Sequence, residues 1–580
     1  MRSQISWKVG GQQGEGIEST GEIFSTALNR QGYYLYGYRH FSSRIKGGHT
    51  NNKIRVSTTP VYAISDDLDI LVAFDQETID LNYHELNENG IILADGKFTP
   101  EKPGDYKGLF VEINFTEIAK ALGTALMKNM VAVGATAQLL GISLAPFEQL
   151  VESLFKKKGD KIVELNKQAL QLGVEEMVKY GSEIGDTFNL EHSNEDGHLF
   201  MIGNEAISMG AIAGGARFMA AYPITPASEI MEYMIDKLPQ FNGTVIQTED
   251  EIAAAVMAIG VNYAGVRAFT ASAGPGLSLM MEAIGLSGMT EQPFVVINTM
   301  RGGPSTGLPT KQEQSDLMQM IYGTHGDIPK IVVAPTTAED AFYTTVEAFN
   351  LAEQYQCPVI ILSDLQLSLG KQTVPQLDYS RIKIERGSLV TDVPERDDKS
   401  YFNRYEVTES GISPRTIPGT KNGIHHVTGV EHGEDGKPSE SPVNRIKQMK
   451  KRMEKIADLK ISQPVVETGG FDEADVLVIG FISTYGAIEE AMDRVDASVN
   501  HLHIKQLHPF PTAEVQAAFD KANKVIVAEN NYQGQLAQII KMNVNHQNKI
   551  HNFVKYDGTP ILPHEIEQEI NSVVTAKELL

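Results

Sequence analysis

Cysteine is almost absent from this chain: among 580 residues, Cys357 stands alone. No disulfide framework, cysteine-ligated zinc or iron–sulfur cluster can be assembled within one copy. If the chain takes part in redox chemistry, another chain must carry the metal. Positive charge is also short, with 50 Lys and Arg against 74 Asp and Glu and a formal net charge of −24. The one basic run, residues 445–455, is brief, so nucleic acid and anionic membranes are poor candidates for a main partner. No run reaches the roughly 18 apolar residues of a membrane-spanning helix. The first residues show no basic stretch followed by an apolar one, and a cytoplasmic location is expected. Fixed-period repeats and low-complexity tracts are missing too.

What remains is an ordinary globular composition, 42% hydrophobic and 21% charged. At about 150 residues per domain, the length allows three or four domains with cores of their own. Punctuation divides the chain. Residues 1–190 open with an expected strand, then the loop Gly10-Gly11-Gln12-Gln13-Gly14-Glu15-Gly16, then a helical pattern to Leu28. The polar stretch 181–197 reads as a linker. Residues 199–370 alternate small-residue helices, expected at 206–221 and 251–264, with apolar runs at 266–271, 293–298, 330–333 and 358–362, which suits a parallel sheet covered on both faces. Residues 371–465, rich in Pro, Gly, Ser and charge, form a connecting segment expected to run over the surface and to end in a basic amphipathic helix, 443–456. Residues 466–580 hold buried strands at 476–480 and 524–528 and fit one small α/β domain. The fold class is therefore α/β, as three α/β domains.

Several motifs carry chemistry. In Tyr222-Pro223-Ile224-Thr225-Pro226-Ala227-Ser228 two prolines stiffen the backbone and present the Thr225 hydroxyl from a rigid loop, while Ser228 is placed to cap the next helix. Glu249, Asp250 and Glu251 precede an alanine-rich helix. Acids there suit the helix dipole, but full burial of such a helix would desolvate Glu251, and a buried carboxyl can pass protons. Arg301 follows an expected strand in Arg301-Gly302-Gly303-Pro304-Ser305-Thr306-Gly307, where open α/β sheets bind ligands and a guanidinium can grip a carboxylate with two hydrogen bonds. Ser272-Ala273-Gly274-Pro275-Gly276 ends a neighbouring strand in the same way, so two such loops suggest a pocket.

Other signals are weaker. The spacing of the glycines in residues 10–16 departs from a dinucleotide fingerprint, and Glu15 would oppose a phosphate. Gly303-Pro304-Ser305-Thr306-Gly307 matches a nucleophile elbow by letter without the required strand and helix. His501 and His503 share one face of an expected strand without a third ligand, so no metal site is expected, and Cys357 reads as a buried inert thiol.

Taken together and in order, the Tyr222-Pro223-Ile224-Thr225-Pro226 loop, Glu251 with its alanine-rich helix, the Ser272 loop and the Arg301 loop resemble the α subunit of two-subunit 2-oxoacid:ferredoxin oxidoreductases, most closely the 2-oxoglutarate type, with a γ-type domain fused in front. The resemblance implies a γ-type catalytic domain over 1–190, a domain at 199–370 that holds the pyrimidine of thiamine diphosphate, and a transketolase C-terminal-like domain over 466–580. It implies oxidative decarboxylation of a 2-oxoacid with coenzyme A. The cofactor would lie at the interface with a β subunit carrying Mg2+ and a [4Fe–4S] cluster, and electrons would pass to ferredoxin. Glu251 matches the pyrimidine-binding glutamate, with Glu249 the alternative if the register differs. Thr225 and Arg301 match the substrate-binding positions; Tyr222, Pro223, Ile224, Ser272 and Gly274 match the cofactor's surroundings. The loop 10–16, with Lys46-Gly47-Gly48-His49, is implied to serve coenzyme A access or subunit packing. Pyruvate or indolepyruvate enzymes, a stand-alone thiamine-dependent decarboxylase or transketolase-like protein, which would need a diphosphate motif that this sequence lacks, a non-catalytic scaffold of the same fold and, last, a nicotinamide dehydrogenase are the alternatives.

Overall fold

Apolar runs without alternation have no solvent face to offer, and in the computed structural model, which describes residues 1–42, 47–193, 197–395 and 401–575, they become strands covered on both sides. Three sheets result. The chain divides into two compact units, residues 1–201 with 369–376 and 562–564, and residues 202–368 with 377–561 and 565–580.

The first unit is built on eight strands in the spatial order Leu109–Ile113, Leu86–Asp95, Leu68–Ala73, Gln4–Gln12, His49–Ser57, Tyr34–His40, Lys371–Val374 and Leu199–Ile202. The expected connecting segment thus begins with a strand of this sheet. Trp7 is fully buried and stacks on Phe24 of the helix Ile17–Asn29, ring centroids 4.3 Å apart. Helices Lys128–Leu139 and Asp160–Val178 cross closely because Gly134 and Gly173 leave no side chain between them; a methyl group at either would strike the other helix's backbone. The polar stretch expected as a linker is partly packed, since Phe188 and Leu190 lie in this unit's core.

The second unit holds seven strands in the order Gln506–His508, Ile331–Val333, Pro358–Asp364, Phe294–Met300, Ala268–Ser272, Phe218–Ala221 and Thr244–Gln247. All but the first run parallel, so their C-terminal ends share one edge. A second sheet runs Val465–Thr468, Val499–Ile504, Ala474–Gly480, Ala522–Glu529 and Ile550–Val554. One apolar core joins the two sheets, with Phe294, Leu317 and Phe481 among its members.

Four local expectations are corrected. The helix expected at 206–221 is Gly203–Ala213; Gly214 and Gly215, the latter at φ 85°, stop it, and Phe218–Ala221 is a strand. Ser228 is the first residue of helix Ser228–Lys237, with Ala227 in the cap position, and does not cap it. The alanine-rich helix, Glu251–Tyr263, is not fully buried: Ala254, Ala255, Ala258 and Ile259 pack on the sheet, while Ile252, Val256 and Met257 are exposed. The connecting segment is also no mere surface excursion. Arg404 and Arg415 are fully buried, and helix Pro442–Glu454 turns Lys451 and Arg452 inward. Buried acids explain this: Glu291 pairs with Lys451 and Lys455 at 2.7 Å each, and Glu353 pairs with Arg267, Arg386 and Arg415. The two ammonium groups hold the Glu291 carboxyl far below its ordinary range, in spite of burial.

Candidate active site

The parallel strands of the second unit deliver Thr225, Glu251, Ser272 and Arg301 to the same sheet edge, because each follows the C-terminal end of a strand or, for Ser272, forms it. Backbone bonds tie the loops together. The Thr248 amide donates to the Ala221 carbonyl at 2.9 Å, and the Thr248 hydroxyl donates to the Asp250 carbonyl at 2.9 Å. Asp250 caps the following helix by accepting from the Ala253 amide at 2.7 Å. This leaves Glu249 and Asp250 exposed and turns Glu251 inward, 7% exposed. Of the two candidate acids, Glu251 is the buried one and Glu249 the exposed one.

Glu251 lies against the start of helix Gly274–Thr290. A methyl group added at Gly276 would sit 2.8 Å from Glu251 Oε1 and overlap Ser272 Oγ, so only glycine fits there. Ser272 Oγ is buried and makes no hydrogen bond with the protein. A buried carboxyl, an unengaged hydroxyl and a helix N-terminus therefore converge on one spot. Tyr222 is exposed, while Pro223, Ile224 and Thr225 are half-buried in the loop that follows Phe218–Ala221.

Arg301 joins two of the motifs. Its Nη1 donates to the Thr225 carbonyl at 2.6 Å and its Nη2 to the Thr306 carbonyl at 3.5 Å, while Nε has no partner in the protein. Arg301 is 7% exposed, and burial lowers the proton affinity of its guanidinium. It borders a cavity of about 640 Å³ lined also by Gly274, Pro275, Glu313, Asp316 and Gln535. Ser305, at φ 57°, lies in an exposed loop rather than between a strand and a helix, so it is no nucleophile elbow.

Asp316, Asn298 and Glu313 escaped the sequence reading. Asn298 Nδ2 donates to Asp316 Oδ2 at 3.1 Å, and the Asp316 carboxylate is close enough to Gly274 that a methyl group there would approach Oδ2 to 3.0 Å. Burial pushes the Asp316 carboxyl up to about 6; Glu313 adds to this, and Asn298 and Arg301 oppose it. One signal was available: Asn298 and Thr299 interrupt an apolar strand at its C-terminal end, where polar side chains face a site.

Behind the cavity the segment 312–316 is pinned by buried polar groups. Gln314 Nε2 donates to Asp364 Oδ2 at 2.8 Å, and Ser483 Oγ donates to the same oxygen at 2.5 Å. The Gln314 amide donates to the Asn530 carbonyl at 2.6 Å, and the Asn530 amide returns a bond to Gln314 Oε1 at 3.0 Å. Full burial raises the Asp364 carboxyl. His501 and His503 form a separate buried chain: His501 Nδ1 contacts Glu489 at 2.5 Å, the two rings meet at 3.1 Å, and His503 Nε2 reaches the Ile482 carbonyl at 3.0 Å. Burial pushes the Cys357 thiol up to about 12, so it is not a nucleophile.

In the first unit, the glycine loop opens helix Ile17–Asn29 with Gly16 in the left-handed region, φ 81°. Glu15 lies beside Gly11, takes a long bond from the Gln12 amide at 3.4 Å and pairs with Lys128 at 3.1 Å. The loop's own acid thus faces the backbone donors a phosphate would need. The Gln13 amide donates to the Gly48 carbonyl at 2.9 Å; Lys46 lies outside the described residues.

Three family descriptions match this chain: "Pyruvate ferredoxin/flavodoxin oxidoreductase" over residues 6–176, "Pyruvate flavodoxin/ferredoxin oxidoreductase, thiamine diP-bdg" over 209–451, and "Pyruvate:ferredoxin oxidoreductase core domain II" over 474–566. The 2-oxoacid:ferredoxin oxidoreductase subunit alpha of a Sulfolobus species is 34% identical, over 98% of this chain and 97% of that one. The 2-oxoglutarate oxidoreductase subunit KorA of Mycobacterium tuberculosis is 30% identical, over 98% and 91%. Among solved structures, the 2-oxoglutarate:ferredoxin oxidoreductase of Magnetococcus marinus, with 2-oxoglutarate, coenzyme A and succinyl-CoA bound, is 35% identical and superposes with a TM-score of 0.92 over 99% of this chain and 100% of that one.

Proposed function

The chain belongs to the α subunits of the 2-oxoacid:ferredoxin oxidoreductases, and from that membership we propose that it oxidatively decarboxylates 2-oxoglutarate with coenzyme A, together with a β subunit that passes the electrons to ferredoxin. One observation carries the reading. The sheet edge that holds Glu251 against Ser272 and Gly276 also holds Arg301 against Thr225, so a cofactor cradle and an anion-binding group stand on one rigid framework.

Thiamine diphosphate, when bound, supplies the carbon centre that makes loss of carbon dioxide from a 2-oxoacid feasible. The residues present fit it. Glu251 would hold a proton at its carboxylate toward a ring nitrogen, Ser272 Oγ has a free hydrogen-bonding position, and Gly276 keeps the approach open. Tyr222, Pro223, Ile224 and Gly274 would complete the surroundings. Arg301, which borders the cavity, would grip the substrate carboxylate, and the Thr225 hydroxyl would donate to the keto oxygen.

A β subunit is the source we assign for Mg2+ and the [4Fe–4S] cluster, since one cysteine cannot hold a cluster. The exposed Ile252, Val256 and Met257 beside Glu251 are the surface we assign to that subunit. The domain limits implied by the resemblance, 1–190, 199–370 and 466–580, a role for the loop 10–16 with coenzyme A, and a cytoplasmic location belong to the same proposal. No helix among the described residues is long and apolar enough to cross a membrane.

The test is to co-express the chain with its β subunit, purify the complex without oxygen and follow reduction of a viologen dye with coenzyme A and 2-oxoglutarate, pyruvate or indolepyruvate. Reduction is expected to need both chains and coenzyme A and to be fastest with 2-oxoglutarate. A faster rate with another acid reassigns the substrate. No reduction by a complex carrying thiamine diphosphate and cluster makes the chain a scaffold.

A further inference from the structure

The cavity beside Arg301 holds more acid than its proposed role calls for. Arg301 is the cation in its lining, and Glu313 and Asp316 border the same space. A substrate carboxylate entering there would set three negative groups against one guanidinium in a partly desolvated site, where like charges disfavour one another's ionisation. One of the acids is placed to relieve this. Asp316 is held by Asn298 Nδ2 at 3.1 Å, lies over Gly274 at the start of helix Gly274–Thr290, and faces the cavity with Arg301. The groups around it on each packed element are few. Asn298 is neutral, Gly274 and Pro275 do not titrate, Gln535 from helix Gln535–Asn543 is neutral, and Glu251 sits at Gly276, two residues further along the same helix. Glu313 and Arg301 are the charged neighbours that act on Asp316 directly.

We propose that Asp316 is a positioning residue for the anion that Arg301 receives: its carboxyl takes up one proton from solvent as the 2-oxoacid carboxylate enters the cavity, becoming a hydrogen-bond donor instead of a competing charge. Binding of the 2-oxoacid is thereby coupled to proton uptake. The inference rests on the proposed function, which places the substrate carboxylate at Arg301. The free carboxyl titrates at about 6, so near neutral pH it is mostly charged before binding and needs only modest help to become neutral. Above that value affinity should weaken by up to about tenfold per pH unit, because one proton must be taken up with each anion.

The test is titration calorimetry of 2-oxoglutarate into the complex of this chain with its β subunit, without thiamine diphosphate or coenzyme A, so that nothing turns over. Two buffers of different ionisation heat are compared from about pH 5.5 to about pH 8, the range that spans the Asp316 titration. Wild type should take up close to one proton per anion near neutrality. Asp316→Asn should bind without proton uptake and, at about pH 8, up to about 10²-fold more tightly than wild type. Glu313→Gln, which removes a charge from the same cavity, should keep the uptake. If Asp316→Asn does not fold, Asn298→Leu serves: it removes the bond that steadies the charged carboxylate, so the pH at which affinity declines should move upward. Binding by wild type that is proton-neutral and flat with pH overturns the role of Asp316 while leaving Arg301 as the anion site. Absence of binding at every pH overturns the placement of substrate at Arg301, and this inference with it.

Discussion

Glu251 and Cys357 show how one residue type reads differently by position. Glu251 opens a helix, where an acid is ordinarily an exposed partner for the dipole, yet the cap supplied by Asp250 turns its side chain into the cluster with Ser272 and Gly276. Replacing it by Gln keeps the shape and removes the exchangeable proton. In the complex with the β subunit, Glu251→Gln should lower turnover by about 10²-fold or more, the usual scale for a general acid–base group, with an unchanged circular dichroism spectrum. Unchanged turnover would remove Glu251 from the chemistry. Cys357 is fully buried and its thiol is pushed up to about 12. A thiol reagent at mildly alkaline pH should leave the native chain unmodified and label the urea-unfolded chain once, which mass spectrometry would read directly. Rapid labelling of the native chain would refute the burial argument.

At the scale of elements, the apolar runs were legible because a strand covered on both faces has no other pattern to adopt; the expected run 358–362 is the strand Pro358–Asp364. The loops after these strands were legible for a related reason, since glycine and proline mark where the backbone must turn. The helix Glu251–Tyr263 was less so. Its composition suggested burial on all sides, but alanines pack flat on the sheet with one face and leave Ile252, Val256 and Met257 outward. An apolar stripe next to Glu251 should serve assembly. Val256→Asp should leave the fold of this chain intact, because the side chain is exposed, and should weaken co-purification with the β subunit at least tenfold, as expected for a charge placed in an apolar interface. Undiminished co-purification would place the interface elsewhere. Asp316 was invisible for a different reason: nothing in a loop sequence tells which polar side chain will be folded back against a distant glycine.

For the whole molecule, the described residues of the connecting segment 371–465 pack more deeply than a run over the surface. A charge-rich stretch is ordinarily solvated, but here Lys451 and Lys455 cross the second unit's interior to Glu291, which ends helix Gly274–Thr290 in a left-handed turn of φ 50°. The far end of the helix that carries Gly274 and Gly276 is thus anchored by ion pairs from a segment more than 150 residues away in the chain. Glu291→Ala strips two buried ammonium groups of their counter-charge and should cost about 3–5 kcal/mol, measured as a lower urea midpoint. A midpoint within experimental error of wild type would mean that the lysines find water or another partner.

What the sequence determined by itself was the α/β class, most of the strands and the turns at their ends, because burial patterns and backbone punctuation are local properties; of the polar residues at the candidate site it marked Thr225, Glu251, Ser272 and Arg301 but not Asp316. Which of these residues meet was decided by the tertiary structure alone. The parallel sheet brings Thr225 to Arg301 across 76 positions of chain and Glu251 to Gly276 across 25, and it sets Asp316 opposite Gly274. Such contacts follow from the order of strands in the sheet, and that order is fixed by packing between segments that no local pattern records.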